Sequence, residues 1–293
     1  MKIFFIGAVE FSRRMLEALV AMDADIVGAA TLGKSPFNSD YCDLKQTCHA
    51  HNIPCNYVTN INEDVSIKWI EDRKPDIIFC FGWSRLLGNR LLKLAPLGVV
   101  GFHPAALPKN RGRHPIVWAL VLGLRETAST FFLMDQDVDN GDIISQKKII
   151  IDDEDNASTL YEKISITAQE QLREILPKLA SGDYQAITQD HKQANIWRKR
   201  TEIDGKIDWR MSGKTIYNLI RGLSRPYIGA HFIYSGYVIK VWKANIVNDV
   251  PLNIEPGKII NVTNRGTTIK CGEQGICLLE TEPQFKPRPG EYL

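Results

Sequence analysis

Two hydrophobic rhythms alternate through the first half of the chain. Continuous apolar runs that end at or near glycine are separated by stretches whose apolar positions recur at helical spacing. KIFFIG (2–7), DIVGAAT (25–31), PCNYV (54–58), PDIIFCFGW (75–83), GVVGFH (98–103), TASTFFLMD (127–135) and DIISQKKIII (142–151) read as strands. FSRRMLEALVAM (11–22) places Phe11, Met15, Leu16, Leu19 and Val20 on one helical face, and further helices are expected at 41–52, 63–73, 85–94 and 115–123. Strands that are apolar at nearly every position need cover on both faces. The pattern therefore predicts an α/β fold with a doubly wound, mostly parallel, Rossmann-like sheet. In such a sheet, ligands bind beyond the carboxyl ends of the strands.

The rhythm changes after residue 151. A long helix is expected over 157–180, with Asp155 or Asn156 as its N-cap and Pro177 disrupting it near the end. Residues 186–205 are polar and without period, which reads as a linker. Beyond them one helix, SGKTIYNLIRGL (212–223), precedes short alternating segments, AHFIYSG, YVIKVWKANIV, GKIINVTNRGTTIKC and GICLLETEP. Short strands between Gly and Asn turns predict a smaller carboxyl-terminal β-barrel domain. The expected organisation is a catalytic domain over 1–185, a linker over 186–205 and a barrel-like domain over 206–293.

Composition narrows the functional classes. The 293 residues are 44% hydrophobic and 24% charged, with a formal net charge of +2. That supports a folded core and lies far from disorder. So small a charge argues against a nucleic-acid footprint; only Arg198-Lys199-Arg200 and the group Lys109, Arg111 and Arg113 stand out. The six cysteines form no CxxC pair and no zinc spacing, so no metal is expected. MKIFFIGAVEF reads as a buried first strand and not a signal peptide, and no apolar run of about 18 residues occurs. The expectation is a cytoplasmic protein with reduced thiols and no membrane association. GAVEFS after the first strand is not GxGxxG, so NAD is not expected.

Two loops carry the candidate chemistry. In GVVGFHPAALPKNRGRHP (98–115), His103 falls at the carboxyl end of a central strand, with Pro104 and Pro108 stiffening the loop behind it. Arg111, Gly112 and Arg113 follow, combining planar donors with a flexible turn. In FFLMDQDVDNGDI (131–143) a strand runs into Asp135, Asp137, Asp139 and Asp142. A calcium loop is excluded: counted from Asp135, Asn140 stands at the sixth position, where glycine is needed, and Gln146 at the twelfth, where glutamate is needed. An acidic turn or a catalytic carboxylate beside His103 remains. A carboxylate near an imidazole orients it for acid–base work.

HPAALPKNRGRHPIVWAL followed by TASTFFLMDQDVDNGDII resembles the folate-dependent formyltransferases, and residues 206–244 are similar to the carboxyl-terminal domain shared by methionyl-tRNA and sugar formyltransferases. The resemblance covers nearly the whole chain. It implies 10-formyltetrahydrofolate as formyl donor, a primary amine as acceptor, and His103 and Asp139 as the catalytic pair. Gly101 stands where the family carries an asparagine that helps hold the oxyanion. Loss of such a donor costs about 100- to 1000-fold in rate, and Asn110 or backbone amides near 101–103 are the candidate replacements. Trp83, Ser84 and Leu86, with the backbone of Asp135, Asp137 and Asp139, match the family's pterin pocket. The loop 31–42 is short, with Lys34 as its one basic residue, and the wording of 195–209 resembles bacterial sugar formyltransferases of surface-polysaccharide pathways. The implied acceptor is a nucleotide-linked amino sugar, with Lys109, Arg111 and Arg113 meeting diphosphate or sugar and Trp197, Arg198 and Arg200 meeting base or phosphate. A homodimer is a further expectation from the resemblance. Initiator tRNA as acceptor, hydrolysis of the formyl donor by water, and a catalytically silent binding protein are the alternatives.

Overall fold

The computed structural model describes residues 1–35 and 39–293; the middle of the 31–42 loop thus lies outside the described residues. The chain forms two compact units. The first comprises residues 1–115, 127–149 and 162–197, and the second comprises 116–126, 150–161 and 198–293.

A seven-stranded sheet organises the first unit. Its strands are β1 (Lys2–Ile6), β2 (Asp25–Thr31), β3 (Cys55–Tyr57), β4 (Ile77–Cys80), β5 (Val99–His103), β7 (Glu126–Leu133) and β8 (Ile143–Ile150), in the order β3-β2-β1-β4-β5-β7-β8. The short strands β6 (Arg111–Gly112) and β9 (Ile196–Trp197) pair separately, in parallel. β1 to β5 are parallel and β7 runs antiparallel to β5. The helices that alternate with or follow these strands along the chain are α1 (Glu10–Ala21), α2 (Lys45–Ala50), α3 (Asp64–Glu71), α4 (Asn89–Leu92), α5 (Pro115–Val121) and α6 (Ala157–Ser181), of which α5 beyond Pro115 and the start of α6 belong to the second unit. The chain winds outward from β1 through β2 to β3, then returns to place β4 on the other side of β1. That reversal is the switch point at which open α/β sheets bind ligands.

All four residues of β4 are buried, as are Phe4, Phe5 and Ile6 of β1, which is why these strands read as unbroken apolar runs. Phe79, Phe81, Phe131, Phe102 and Phe11 form a chain of ring contacts across the middle of the sheet. Helix α6 differs from expectation at its end: it passes through Pro177 and continues to Ser181. A proline there removes one intrahelical bond near the terminus, which a 25-residue helix absorbs. Asn156 caps its start, the side-chain Oδ1 accepting from the amides of Ser158 and Thr159.

In the second unit, α7 (Gly213–Leu223) packs on a five-stranded antiparallel sheet made of β10 (Ala230–Tyr234), β11 (Tyr237–Val247), β12 (Ile259–Thr263), β13 (Gly266–Lys270) and β14 (Gly275–Glu282). The order is β10-β11-β14-β13-β12, so β10 and β12 end the ladder. Ile216, Ile220 and Leu223 of α7, Phe232, Val241, Ile269 and Ile276 of the sheet, and Val117 of α5 share one core. Arg221, 6% exposed, donates to Asn218 Oδ1 and to the carbonyls of Asp152, Asp153 and Asp155. This holds the 150–161 segment in the unit. Arg221→Met keeps the stem and removes those donors, and should lower unfolding stability by roughly 2 kcal/mol, read from the urea midpoint.

Candidate functional site

β5 delivers His103 to the carboxyl edge of the sheet, opposite Thr130 of β7, and leaves it 4% exposed. The loop behind it is held by hydroxyl and amide groups from the neighbouring strands. Thr127 Oγ1 donates to the Pro104 carbonyl, Thr130 Oγ1 to that of Ala105, and Gln146 Nε2 to that of Leu107. The loop then turns through Asn110, whose φ of 64° is left-handed, and this aims the Asn110 carbonyl at His103 Nε2, 2.7 Å away. A carbonyl can only accept, so Nε2 carries the proton in the neutral ring and Nδ1 is left with the lone pair. Nδ1 lies 3.5 Å from Asp139 Oδ2.

Asp139 stands in the turn after β7, also left-handed at φ 52°. Its Oδ2 accepts the Gly112 amide at 2.8 Å, and Oδ1 takes no part in these bonds. Gly112 has φ 98°, and a Cβ there would lie 2.4 Å from the Trp197 carbonyl. Only glycine lets the amide approach Asp139 while the β6–β9 pair forms. The geometry is that of a proton-accepting imidazole: one nitrogen tied to a carbonyl, the other facing an anchored carboxylate.

The amino-terminal part of the chain, residues 9–176, matches the formyl transferase family, and residues 199–289 match the formyl transferase carboxyl-terminal domain. A methionyl-tRNA formyltransferase of Alkaliphilus oremlandii is 31% identical over all of this chain and 96% of its own length. The chain belongs to the formyltransferase family, enzymes that transfer a one-carbon group from folate. Among solved structures, WlaRD, a sugar 3N-formyltransferase crystallised with dTDP and 5-N-formyl-THF, superposes with a TM-score of 0.72 at 16% identity, covering 97% of this chain and 99% of that one. An N-formyltransferase of Helicobacter canadensis with folinic acid and dTDP-3-aminofucose gives 0.72 at 17% identity, covering 95% and 99%. A HypX variant of Aquifex aeolicus gives 0.70 at 17% identity and covers 96% of this chain; the chain spans 44% of HypX.

The structure redistributes the residues that the sequence pattern marks in this formyltransferase. His103 and Asp139 come together, as described. Asn110 contributes its backbone carbonyl to His103 and so stands as an acceptor, where the sequence suggests an oxyanion donor. Gly101 pairs with Phe132 across β5–β7, and a Cβ on it would lie 2.8 Å from Met134 Cγ and 2.9 Å from the Phe132 ring. The space for a side chain at 101 is occupied by apolar groups.

Arg111 is not a free substrate ligand. It is 6% exposed, and its guanidinium donates to Gln189 Oε1, Asn140 Oδ1 and His191 Nδ1. Lys109 and Arg113 are exposed, the latter also donating to the Ser84 carbonyl. Arg198 is committed elsewhere, in a two-pronged ion pair with Asp204 (2.5 and 2.8 Å), and Arg200 is buried beneath the Trp118 ring with Nη2 on the Asp204 carbonyl. The Arg198 contact holds the Asp204 carboxyl well below the usual range, so its contribution to stability is complete at neutral pH and lost only in strong acid. Trp197 serves the β6–β9 pair through its backbone, accepting from the Arg113 amide.

Trp83 packs with Met134 against the core around β1 and β4, and its indole Nε1 is buried without a partner. Leu86 is 69% exposed. Asp135 and Asp137 close a local turn, the Asp137 amide donating to Asp135 Oδ1 while Asn140 Nδ2 donates to Asp135 Oδ2. An orphan donor beside apolar side chains at the sheet edge fits a pterin, which is flat and carries acceptors at O4 and N1. Among the described residues, no group of His, Cys, Asp or Glu is arranged to hold a metal ion, and no helix is long and apolar enough to cross a membrane.

The sequence reading misses Gln189, Asn195 and Asn140. Gln189 and Asn195 sit in a polar, aperiodic stretch, and Asn140, though inside the acidic loop motif, is not distinguished there by residue type from a surface amide.

Proposed function

We propose that this formyltransferase transfers the formyl group of 10-formyltetrahydrofolate to the primary amine of a nucleotide-linked amino sugar. Bound at the sheet edge, the folate supplies an activated formyl carbon. Trp83 Nε1, the apolar faces of Trp83 and Met134, and the backbone of 135–139 would hold its pterin. As the acceptor amine bonds to the formyl carbon, His103 Nδ1 takes the proton it sheds, which there meets the Asp139 carboxylate; the bond from the formyl carbon to the folate nitrogen then breaks, and that nitrogen takes up the proton as tetrahydrofolate leaves. The Asn110 carbonyl keeps the other nitrogen protonated and the ring oriented.

The choice of acceptor rests on the accounting of basic side chains near these loops. In the loop that follows His103, Arg111 is buried on amides, which leaves Lys109 and Arg113 as its exposed cations. Two cations suit a single diphosphate and fall short of the many phosphate contacts by which proteins hold tRNA. The reading gains support from WlaRD and the H. canadensis enzyme, whose structures contain dTDP or a dTDP-amino sugar. Initiator methionyl-tRNA is the second reading, favoured by the A. oremlandii relative.

Tetrahydrofolate release from 10-formyltetrahydrofolate should be followed with dTDP- and UDP-linked amino sugars, with methionyl-tRNA, and without acceptor. Release is expected with at least one amino sugar and with neither tRNA nor water. Release with tRNA instead would replace this proposal by the second reading. Acceptor-independent release would make the protein a hydrolase.

A further inference from the structure

The segment 187–197, polar and aperiodic in sequence, touches both halves of the candidate site. Gln189 is 3% exposed and uses its whole amide. Its Nε2 donates to the carbonyls of Asp139 (3.0 Å) and Gly141 (2.7 Å), while its Oε1 accepts from Nε and Nη2 of Arg111 (3.2 and 2.6 Å). One side chain therefore ties the turn that carries Asp139 to the loop that follows His103. Six residues on, Asn195 does the corresponding work for the imidazole. Its Oδ1 accepts the Asn110 amide at 2.9 Å, and its carbonyl accepts the Arg111 amide at 3.0 Å. Asn110 is the residue whose left-handed backbone turns a carbonyl onto His103 Nε2.

We propose that Gln189 and Asn195 are positioning residues that set the separation and orientation of His103 and Asp139. The inference rests on the reading that those two side chains carry the proton transfer. Each acts through one intermediary, Gln189 through the Asp139 backbone and Asn195 through Asn110. The two catalytic groups otherwise meet only at 3.5 Å, longer than a strong hydrogen bond, so their relation depends on the backbones that carry them. Buried amides with every donor and acceptor matched are suited to that task, because any shift leaves a polar group unpaired.

The decisive variant is Gln189→Glu. It keeps an acceptor for Arg111 but sets a carboxylate oxygen against two carbonyls in place of two N–H donors. The urea midpoint should fall, because two buried carbonyls lose their donors, but the protein should remain folded in buffer while kcat falls roughly 10- to 100-fold and KM for 10-formyltetrahydrofolate changes less than about threefold. Asn195→Ala should lower kcat in the same manner. Amide hydrogen exchange supplies a readout independent of turnover. The Gly112 amide, bonded to Asp139 Oδ2, should exchange at least about tenfold faster in Gln189→Glu.

Unchanged Gly112 exchange in a folded Gln189→Glu protein would overturn the proposal whatever the activity. A rise in KM with kcat intact would also overturn it. Should Gln189→Glu fail to fold, the isosteric Gln189→Met carries the same exchange measurement with the same two outcomes. Faster Gly112 exchange combined with full activity in the His103 and Asp139 variants would leave the positioning contact standing and remove the catalytic reading on which it rests.

Discussion

His103→Asn is expected to lower formyl transfer by about 10²- to 10⁴-fold, the range over which positioned acid–base groups act. Asparagine is too short to bring a donor to the Asn110 carbonyl, which loses the partner it has in Nε2. It also removes the lone pair at Nδ1, the atom that faces Asp139. Asp139→Ala should cost a similar amount and in addition release the Gly112 amide that Oδ2 anchors. Tetrahydrofolate release under saturating donor measures the loss, and quenching of tryptophan fluorescence measures donor binding, which should persist in both variants. Near-wild-type turnover in either would remove that residue from the chemistry.

The second large effect is on stability. Gly101→Asn, which introduces the residue that the family resemblance leads one to expect at this position, should destabilise the protein by roughly 4 kcal/mol without raising activity. The reason is steric and polar together. A Cβ at 101 meets Met134 Cγ at 2.8 Å and the ring of Phe132 at 2.9 Å, and Phe132 is itself 2% exposed in a cluster with Leu107 and Ile143. The new amide would enter an apolar pocket with no partner. Phe132→Ala in the same chain opens part of the space, so the double variant should lose less stability than the two single changes added together, read from urea midpoints. If Gly101→Asn proves as stable as wild type, the packing argument fails. Gly101 and Phe132 are cross-strand partners, and the missing side chain on one strand leaves the room that the ring on the other fills.

The framework was legible because burial leaves a signature in residue type. β1, β4 and β5 are covered on both faces and so are written as uninterrupted apolar runs, and Ser212 marks the start of α7 by accepting the Thr215 amide. His103 and Asp139 were legible through their motifs. Their supporting contacts were not, because those pass through backbone atoms. The carbonyl of Asn110, the amide of Gly112 and the carbonyl of Asp139 carry no mark of side-chain identity. Arg111 misleads for a related reason: an arginine beside a ligand loop looks the same in sequence whether it faces phosphate or lies buried on Gln189. The stretch 186–205 reads as a linker on composition, yet within it Ile196–Trp197 pairs as a strand and Gln189 is nearly inaccessible. Polar residues that are satisfied by one another have no hydrophobic period to reveal them.

The threading of the second unit has a practical corollary. Residues 116–126 and 150–161 belong to it although they precede most of its sequence by dozens of positions, and Val117 and the carbonyls of Asp152 to Asp155 complete its core and its arginine clamp. A fragment cut near residue 198 would therefore lack parts of its own interior, and the complementary fragment would carry orphaned apolar surface. Neither half is a portable cassette, so chimeras that exchange acceptor preference between relatives should graft loops within an intact chain and not whole halves.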